Sequence, residues 1–191
     1  MSAITSQLRP EIHPGFRGSR QFLVPAHRDQ HHIRRGGCLG RFLASPRVLQ
    51  QIGTNTLTNA AAWPVTVGEK NFPMALDTAS ARLYIACRKP PLLAVYDTGT
   101  GTLLSRTPCA GDADDMFYDA KLKRVYVIGG EGFVDAFQVS DALQEPARLA
   151  RLPTAPRART GLFIPDLRML AVAAPHTTNR PASVLLFQAK P

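Results

Sequence analysis

The sequence predicts an all-β chain in which a four-stranded antiparallel unit recurs about three times. Three observations predict it. From residue 59 onward, short runs rich in aliphatic and aromatic residues alternate with Gly, Pro, Asp and Thr punctuation. The same order of runs returns after 42 residues, so that Asp119 repeats Asp77 and Tyr126 repeats Tyr84. Turn chemistry separates the runs, as in "DTGTG" at 97–101, where glycine supplies the positive φ of a tight turn.

The elements follow in order. "FPMALD" (72–77), "RLYIAC" (82–87), "LLAVYD" (92–97) and "LLSRTP" (103–108) read as four strands. "DMFYD" (115–119), "RVYVIG" (124–129), "FVDAFQ" (133–138) and "ARLARLP" (147–153) repeat them. A third copy runs through "TGLFIP" (160–165), "LAVAAP" (170–175) and "SVLLFQ" (183–188), with the spacing drifting to about 46 and no fourth strand. Alternation puts Leu83 and Ile85 on one face of their strand and Tyr84 and Ala86 on the other. A lone four-stranded sheet cannot cover two apolar faces, so such sheets stack around an axis. Four strands every 40-odd residues is the pattern of a β-propeller blade. An open β-sandwich would share the composition but not the 42-residue echo. Blades are expected at about 72–109, 114–153 and 159–191, an incomplete ring over residues 59–191. Phe117, Tyr118, Tyr126, Phe133 and Phe137 are expected in the blade core, and Asp77, Asp97 and Asp119 at strand ends, fixing turns.

Residues 82–130, "RLYIACRKPPLLAVYDTGTGTLLSRTPCAGDADDMFYDAKLKRVYVIGG", resemble the YVTN β-propeller repeat family, the YncE-like proteins. The resemblance rests on Leu83-Tyr84-Ile85, Val95-Tyr96-Asp97, Thr100-Gly101 and Gly111, and covers about residues 59–191. It implies a seven-bladed ring in complete members, of which this chain would be the C-terminal part, a truncated propeller. It implies a first strand innermost in each blade, a fourth outermost, and members that are commonly periplasmic or secreted.

Residues 1–58 differ. They hold eight arginines, no lysine and only Glu11 and Asp29 as acids, which is +6 of the chain's net +9. Strand grammar is absent from "HRDQHHIRRGGCLGRFLASPRVLQQIG" (27–53), so a poorly structured or degenerate segment is expected, either a frameshift product or an insertion. "TNTLTNAAAWPV" (54–65) reads as a turn and an outer strand, and "GSRQFLVPA" (18–26) faintly as part of a blade. A basic arm using Arg34, Arg35 and Arg41 could bind nucleic acid, but no interleaved aromatics accompany it and the arginines share no helical face, so this reading is disfavoured. No secretory signal is visible and no apolar run approaches the roughly 18 residues of a membrane helix. Cys38, Cys87 and Cys109 are too few and too scattered for a disulfide framework or a zinc site.

Chemistry is expected on one loop face, where outer strands lead to the next inner strand and second strands turn to third. Asn71, Arg88, Lys89, Asp112, Asp114, Asp115, Glu131, Arg159 and His176 fall there, around the channel mouth. Asp112, Asp114 and Asp115 could hold Ca2+ or another divalent cation through oxygen ligands. The competing reading is turn capping and ion pairing to Arg88 or Arg159. His176 could act as a general base, but no nucleophile with a matched base and orienter accompanies it. The favoured function is therefore a non-enzymatic binding or scaffolding module for a protein or small-molecule ligand, without a cofactor, and with self-association through open blade edges. The alternative is a metal-dependent hydrolase resembling gluconolactonases, with Asn71, Asp112, Asp114, Asp115 and Glu131 as candidate ligands.

Overall fold

The computed structural model describes residues 33–35, 38–45, 48–53, 59–140 and 145–190, with side chains over 62–70, 73–140 and 145–190. No helix occurs among them, and none is therefore long and apolar enough to cross a membrane. Fifteen strands form four antiparallel sheets, each a simple meander. The first holds β1 (Ile33–Arg35), β2 (Cys38–Ser45), β3 (Val48–Gly53) and β4 (Asn59–Pro64). The second holds β5 (Glu69–Asp77), β6 (Arg82–Lys89), β7 (Pro91–Asp97) and β8 (Leu103–Pro108). The third holds β9 (Ala113–Asp119), β10 (Arg124–Gly129), β11 (Phe133–Gln138) and β12 (Ala147–Pro153). The fourth has three strands, β13 (Thr160–Ile164), β14 (Met169–Ala174) and β15 (Ser183–Gln188).

The expected strands from 72 onward are present and paired in the expected order. The first strands touch in turn, β5 with β9 and β9 with β13, which places them innermost. One difference lies before them. Strands β1 to β3 occupy 33–53, within the stretch from which sequence grammar predicted none. Arg41 and the Gly36-Gly37 pair interrupt the apolar alternation there, and pairing with β4 supplies a register that local pattern did not reveal. Residues 18–26 lie outside the described residues.

The second and third sheets each present one apolar face to the sheet before and one to the sheet after. Leu83, Ile85 and Cys87 meet Trp63 and Val65 from the first sheet, whereas Tyr84 and Ala86 turn the other way, toward Met116, Val125, Val127 and Phe137. Across the next junction, Tyr126, Ile128, Val134 and Ala136 meet Phe163, Leu170, Val172 and Phe187. The period-2 alternation of each strand thus feeds two separate cores. Gly101 allows one close approach. It has φ +72, and a Cβ there would lie 2.5 Å from the Trp63 ring.

The repeat is also written in the backbone. Positive φ recurs at Lys70, Asp112 and Arg157, and again at Ala81, Lys123 and Arg168, at spacings of 42 and then 45. The carbonyls of Ala81, Lys123 and Arg168 accept equivalent bonds from the amides of Thr98, Val139 and Ala189, at 2.9, 2.9 and 2.8 Å. Asp77, Asp97 and Asp119 fix turns as expected, each with Oδ1 accepting two following backbone amides. Of the expected core aromatics, Tyr126 and Phe137 are buried, while Phe133 is half-buried under the Arg151 guanidinium, 5.3 Å from its ring centre.

One tie between sheets is made once and missing at its next repeat. The Tyr118 hydroxyl donates to Asp77 Oδ2 at 2.7 Å, across the junction of the second and third sheets, and Tyr118 stacks on Tyr84 at 5.7 Å. One repeat along, Phe163 takes the place of Tyr118, packing on Tyr126 at 5.4 Å, and carries no hydroxyl. Asp119 Oδ2 is left buried without a hydrogen-bond partner. The Tyr126 hydroxyl and Arg124 Nε lie near it and are likewise without a full hydrogen bond. Phe163→Tyr should restore the tie and raise stability by about 1 kcal/mol, and Tyr118→Phe should lower it by about as much; urea unfolding of both variants measures the two shifts.

The Asp77 tie also has a pH signature. Burial alone would raise the Asp77 carboxyl, but bonds from Tyr118 and Ser80, with Lys123 nearby, hold it below its usual value. Its contribution is therefore complete above the unfolded carboxylate value near 4 and is lost as pH falls from there through the lowered folded value. Acid titration of stability should show a larger loss across that window in the wild type than in Tyr118→Phe.

Candidate functional site

The ends of the second and third sheets and the start of the fourth converge on one cluster of charges. Arg88, at the end of β6, is held by the apolar run before it, and its guanidinium reaches into the loop leading to β9. Arg88 Nε donates to the Ala113 carbonyl at 2.8 Å, one Nη meets Asp114 Oδ1 at 2.5 Å, and the other meets Asp112 Oδ1 at 3.2 Å. Arg159, leading into β13, closes the cluster from the far side. Its Nη1 donates to Asp112 Oδ2 at 2.9 Å and its Nε meets Asp114 Oδ2 at 3.3 Å. The Arg159 guanidinium is held more basic than usual, first by its hydrogen bond to Asp112 and then by the charges of Asp112 and Asp114.

The backbone is shaped for this arrangement. Asp112 sits at φ 52, and its carbonyl accepts the Gly130 amide at 2.9 Å. A Cβ at residue 130 would run into the Asp112 carboxylate and the Arg159 side chain, so only glycine leaves room for the pair. Asp115 is directed elsewhere: its Oδ2 accepts the Gly161 amide at 2.7 Å, tying the two inner strands β9 and β13. Glu131 Oε2 accepts the Gly111 amide at 2.9 Å.

The predicted residues thus divide into groups. Arg88, Asp112, Asp114 and Arg159 come together; Asp115 and Glu131 bond backbone amides beside them. Lys89 is exposed at the end of β6, and His176 is exposed on its loop. Asn71 lies in β5, and its side chain is outside those described. The arrangement does not fit a divalent cation at Asp112 and Asp114. Each of their four carboxylate oxygens faces a guanidinium nitrogen, and among the described residues no three His, Cys, Asp or Glu side chains form a metal-holding group.

Sequence reasoning missed a second ionic centre. Asp135, in the middle of β11, is fully buried, and both its oxygens take hydrogen bonds from Arg151 at 2.8 Å. Arg148 adds a contact at 3.5 Å, lies 5.5 Å from the Phe137 ring centre, and donates to the Pro108 carbonyl of the second sheet at 2.5 Å. The signal was present in the pattern: an acid inside "FVDAFQ" and arginines alternating in "ARLARLP", with Asp135 opposite Arg151 in the register.

No protein-family pattern matches the chain, and no curated protein matches it. Solved structures do. A chain of a mitotic checkpoint complex aligns with a TM-score of 0.62 at 12% identity, over 80% of this chain and 45% of that one. A chain of Kuenenia stuttgartiensis hydrazine synthase aligns with a TM-score of 0.64 at 16% identity, over 88% of this chain and 49% of that one. The fold is that of stacked propeller blades. At these identities the likeness concerns fold alone, and the chain spans about half the length of the solved chains it matches.

Two predictions test the cluster and the thiols near it. Arg88→Ala strips a backbone carbonyl and two carboxylates of a shared donor in a half-buried setting, and should cost about 1–2 kcal/mol in thermal or urea unfolding. Burial pushes the Cys87 thiol up to about 11 and, with Asp135 close by, the Cys109 thiol up to about 12. Both should therefore resist iodoacetamide at about pH 8 in the native chain and react on unfolding, as peptide mapping of the modified sites would show.

Proposed function

We propose that this chain is a non-enzymatic propeller module of the YncE-like kind, presenting the loop face around Arg88 to a protein partner. The observation that carries the reading is the ion-pair cluster itself. Arg88, Asp112, Asp114 and Arg159 cross-tie three consecutive sheets at one end and satisfy each other's charge. Such a cluster makes a stiff, pre-shaped platform, which reduces the ordering cost of binding. The exposed Lys89, Glu131 and His176, expected on the same loop face, would then give specificity. One structural neighbour belongs to a multiprotein assembly, which is consistent with a propeller used as a docking platform. The hydrolase alternative needs carboxylate oxygens that here face arginines.

The test compares wild type with Lys89→Glu/His176→Ala and with an outer-strand control, Leu149→Asp, as baits in lysate of the source organism. A partner retained by wild type and control but lost by the loop-face variant is the expected result. Calcium-dependent turnover across a lactone panel, lost in Asp112→Asn and Asp114→Asn, would overturn the reading in favour of the hydrolase.

A further inference from the structure

We infer that the partner of the loop face binds it through an extended acidic segment, which Lys70, Lys89 and Arg157 hold at the edge of the ion-pair cluster. The inference rests on the proposed use of that face and names the chemistry of its occupant. It begins with the charges of the face that are already committed. Asp112 and Asp114 each meet both Arg88 and Arg159, and the four charges cancel. Asp115 Oδ2 accepts the Gly161 amide, and Glu131 Oε2 accepts the Gly111 amide. Glu69, at the start of β5, is engaged as well. The cations outside the cluster differ. Lys70, Lys89 and Arg157 are exposed, and among the described residues no hydrogen bond or ion pair engages their side chains. The uncommitted charge that these residues offer a partner is therefore positive.

Their places in the fold bring them to the cluster. Lys89 follows Arg88 in β6. Glu69 pairs with Lys89 in the register, so Lys70 lies at the same end of the second sheet. The Arg157 amide donates to the Gly130 carbonyl at 2.7 Å, and the Gly130 amide donates to the Asp112 carbonyl at 2.9 Å. The cations thus flank the cluster from the second sheet and from the loop entering the fourth. Lys70 and Arg157 share a further property. With Asp112 they occupy one position of successive repeats, at φ 56, 52 and 68 in chain order. Glycine adopts that backbone without strain, whereas a side chain is held there at a cost. Each repeat therefore places a charged group at the same point of the face. The middle one is bound into the cluster, and the outer two are left for a ligand.

Spacing and chemistry select the occupant. Stacked sheets lie about 10 Å apart, and an extended chain advances about 3.3 Å per residue, so carboxylates at about every third residue would meet successive cations. A lone small anion cannot span that distance. Single-stranded nucleic acid is also anionic, but it binds by stacking its bases on accessible aromatic rings, and no aromatic side chain is exposed among the described residues. The carboxylates of the cluster do not repel an acidic segment, because a guanidinium offsets each of them. The chain's net +9 adds attraction at long range.

Fluorescence anisotropy of the full chain with a labelled acidic peptide tests this. The probe is about twelve residues long, with glutamate at every third position among glycine and serine. Saturable binding is expected at low ionic strength, weakening as salt approaches about 0.15 M. Lys89→Glu/Arg157→Glu should weaken it at least about tenfold. Arg106→Glu/Arg168→Glu, on β8 and in the turn before β14, changes the net charge equally and should leave binding within about twofold. Lys70→Glu is the second probe if the first variant alters the far-ultraviolet spectrum. Arg34→Ala/Arg35→Ala/Arg41→Ala separates the face from the basic N-terminal segment and should leave binding intact. Absence of saturable binding, equal loss in the two charge-matched variants, or loss on the triple arginine substitution would overturn the inference. Tighter binding of an oligothymidylate of equal charge would overturn it in favour of nucleic acid. A partner that needs the loop face but meets it through a basic or uncharged segment would overturn this inference and leave the proposed use of the face standing.

Discussion

Sheet-on-sheet burial is the interaction on which everything else in this chain depends. A four-stranded antiparallel meander of six- to nine-residue strands has two faces, and here both are apolar. Leu83 and Ile85 look back to Trp63 and Val65; Tyr84 and Ala86 look forward to Met116 and Val125. Fully burying side chains of this size is worth about 1.5–3 kcal/mol each, so an isolated sheet would forfeit that energy on both faces. Stability therefore comes from neighbours, and each junction is as necessary as the strands that make it.

Polar ties then fix the alignment of faces that apolar packing alone would leave free to slide. Three of them join consecutive sheets at different heights. Tyr118 bonds Asp77 at one end, Asp115 bonds the Gly161 amide along the inner strands, and Arg88 with Arg159 brackets Asp112 and Asp114 at the other end. At the outer edge, Arg148 links Asp135 to the Pro108 carbonyl. Burying Asp135 is tolerable because Arg151 satisfies both its oxygens; without that partner a buried carboxylate would cost several kcal/mol. The same polar groups that hold the sheets in register thus shape the loop face, so platform and fold are one structure.

The cluster also shows how a dense run of carboxylates can be drawn into ion pairs. Three acids in "GDADD" look like a cation site when only the carboxylates are counted. In the folded chain, Arg88 arrives from 24 residues before Asp112 and Arg159 from 47 residues after it, and they claim all four oxygens of Asp112 and Asp114. The third acid, Asp115, points along the inner strand to another backbone. Asp114 and Asp115, adjacent in sequence, thus take different partners, because successive residues of a strand alternate in direction.

The sequence by itself determined the strands from residue 72 onward, their order within each sheet and the 42-residue period. These depend on local alternation and on turn residues such as Asp77, Asp97 and Gly101, which act within a few positions. Tertiary structure alone decided the rest. The strands at 33–53 carry a weak local pattern and are specified by pairing with β4. The choice between cation site and ion-pair cluster depended on arginines from neighbouring sheets. Phe163, Leu162 and Val184 are all apolar letters in the sequence, yet one is core and two are open surface. Which is which depends on whether another sheet lies over that face, and burial is a property of the neighbour as much as of the residue.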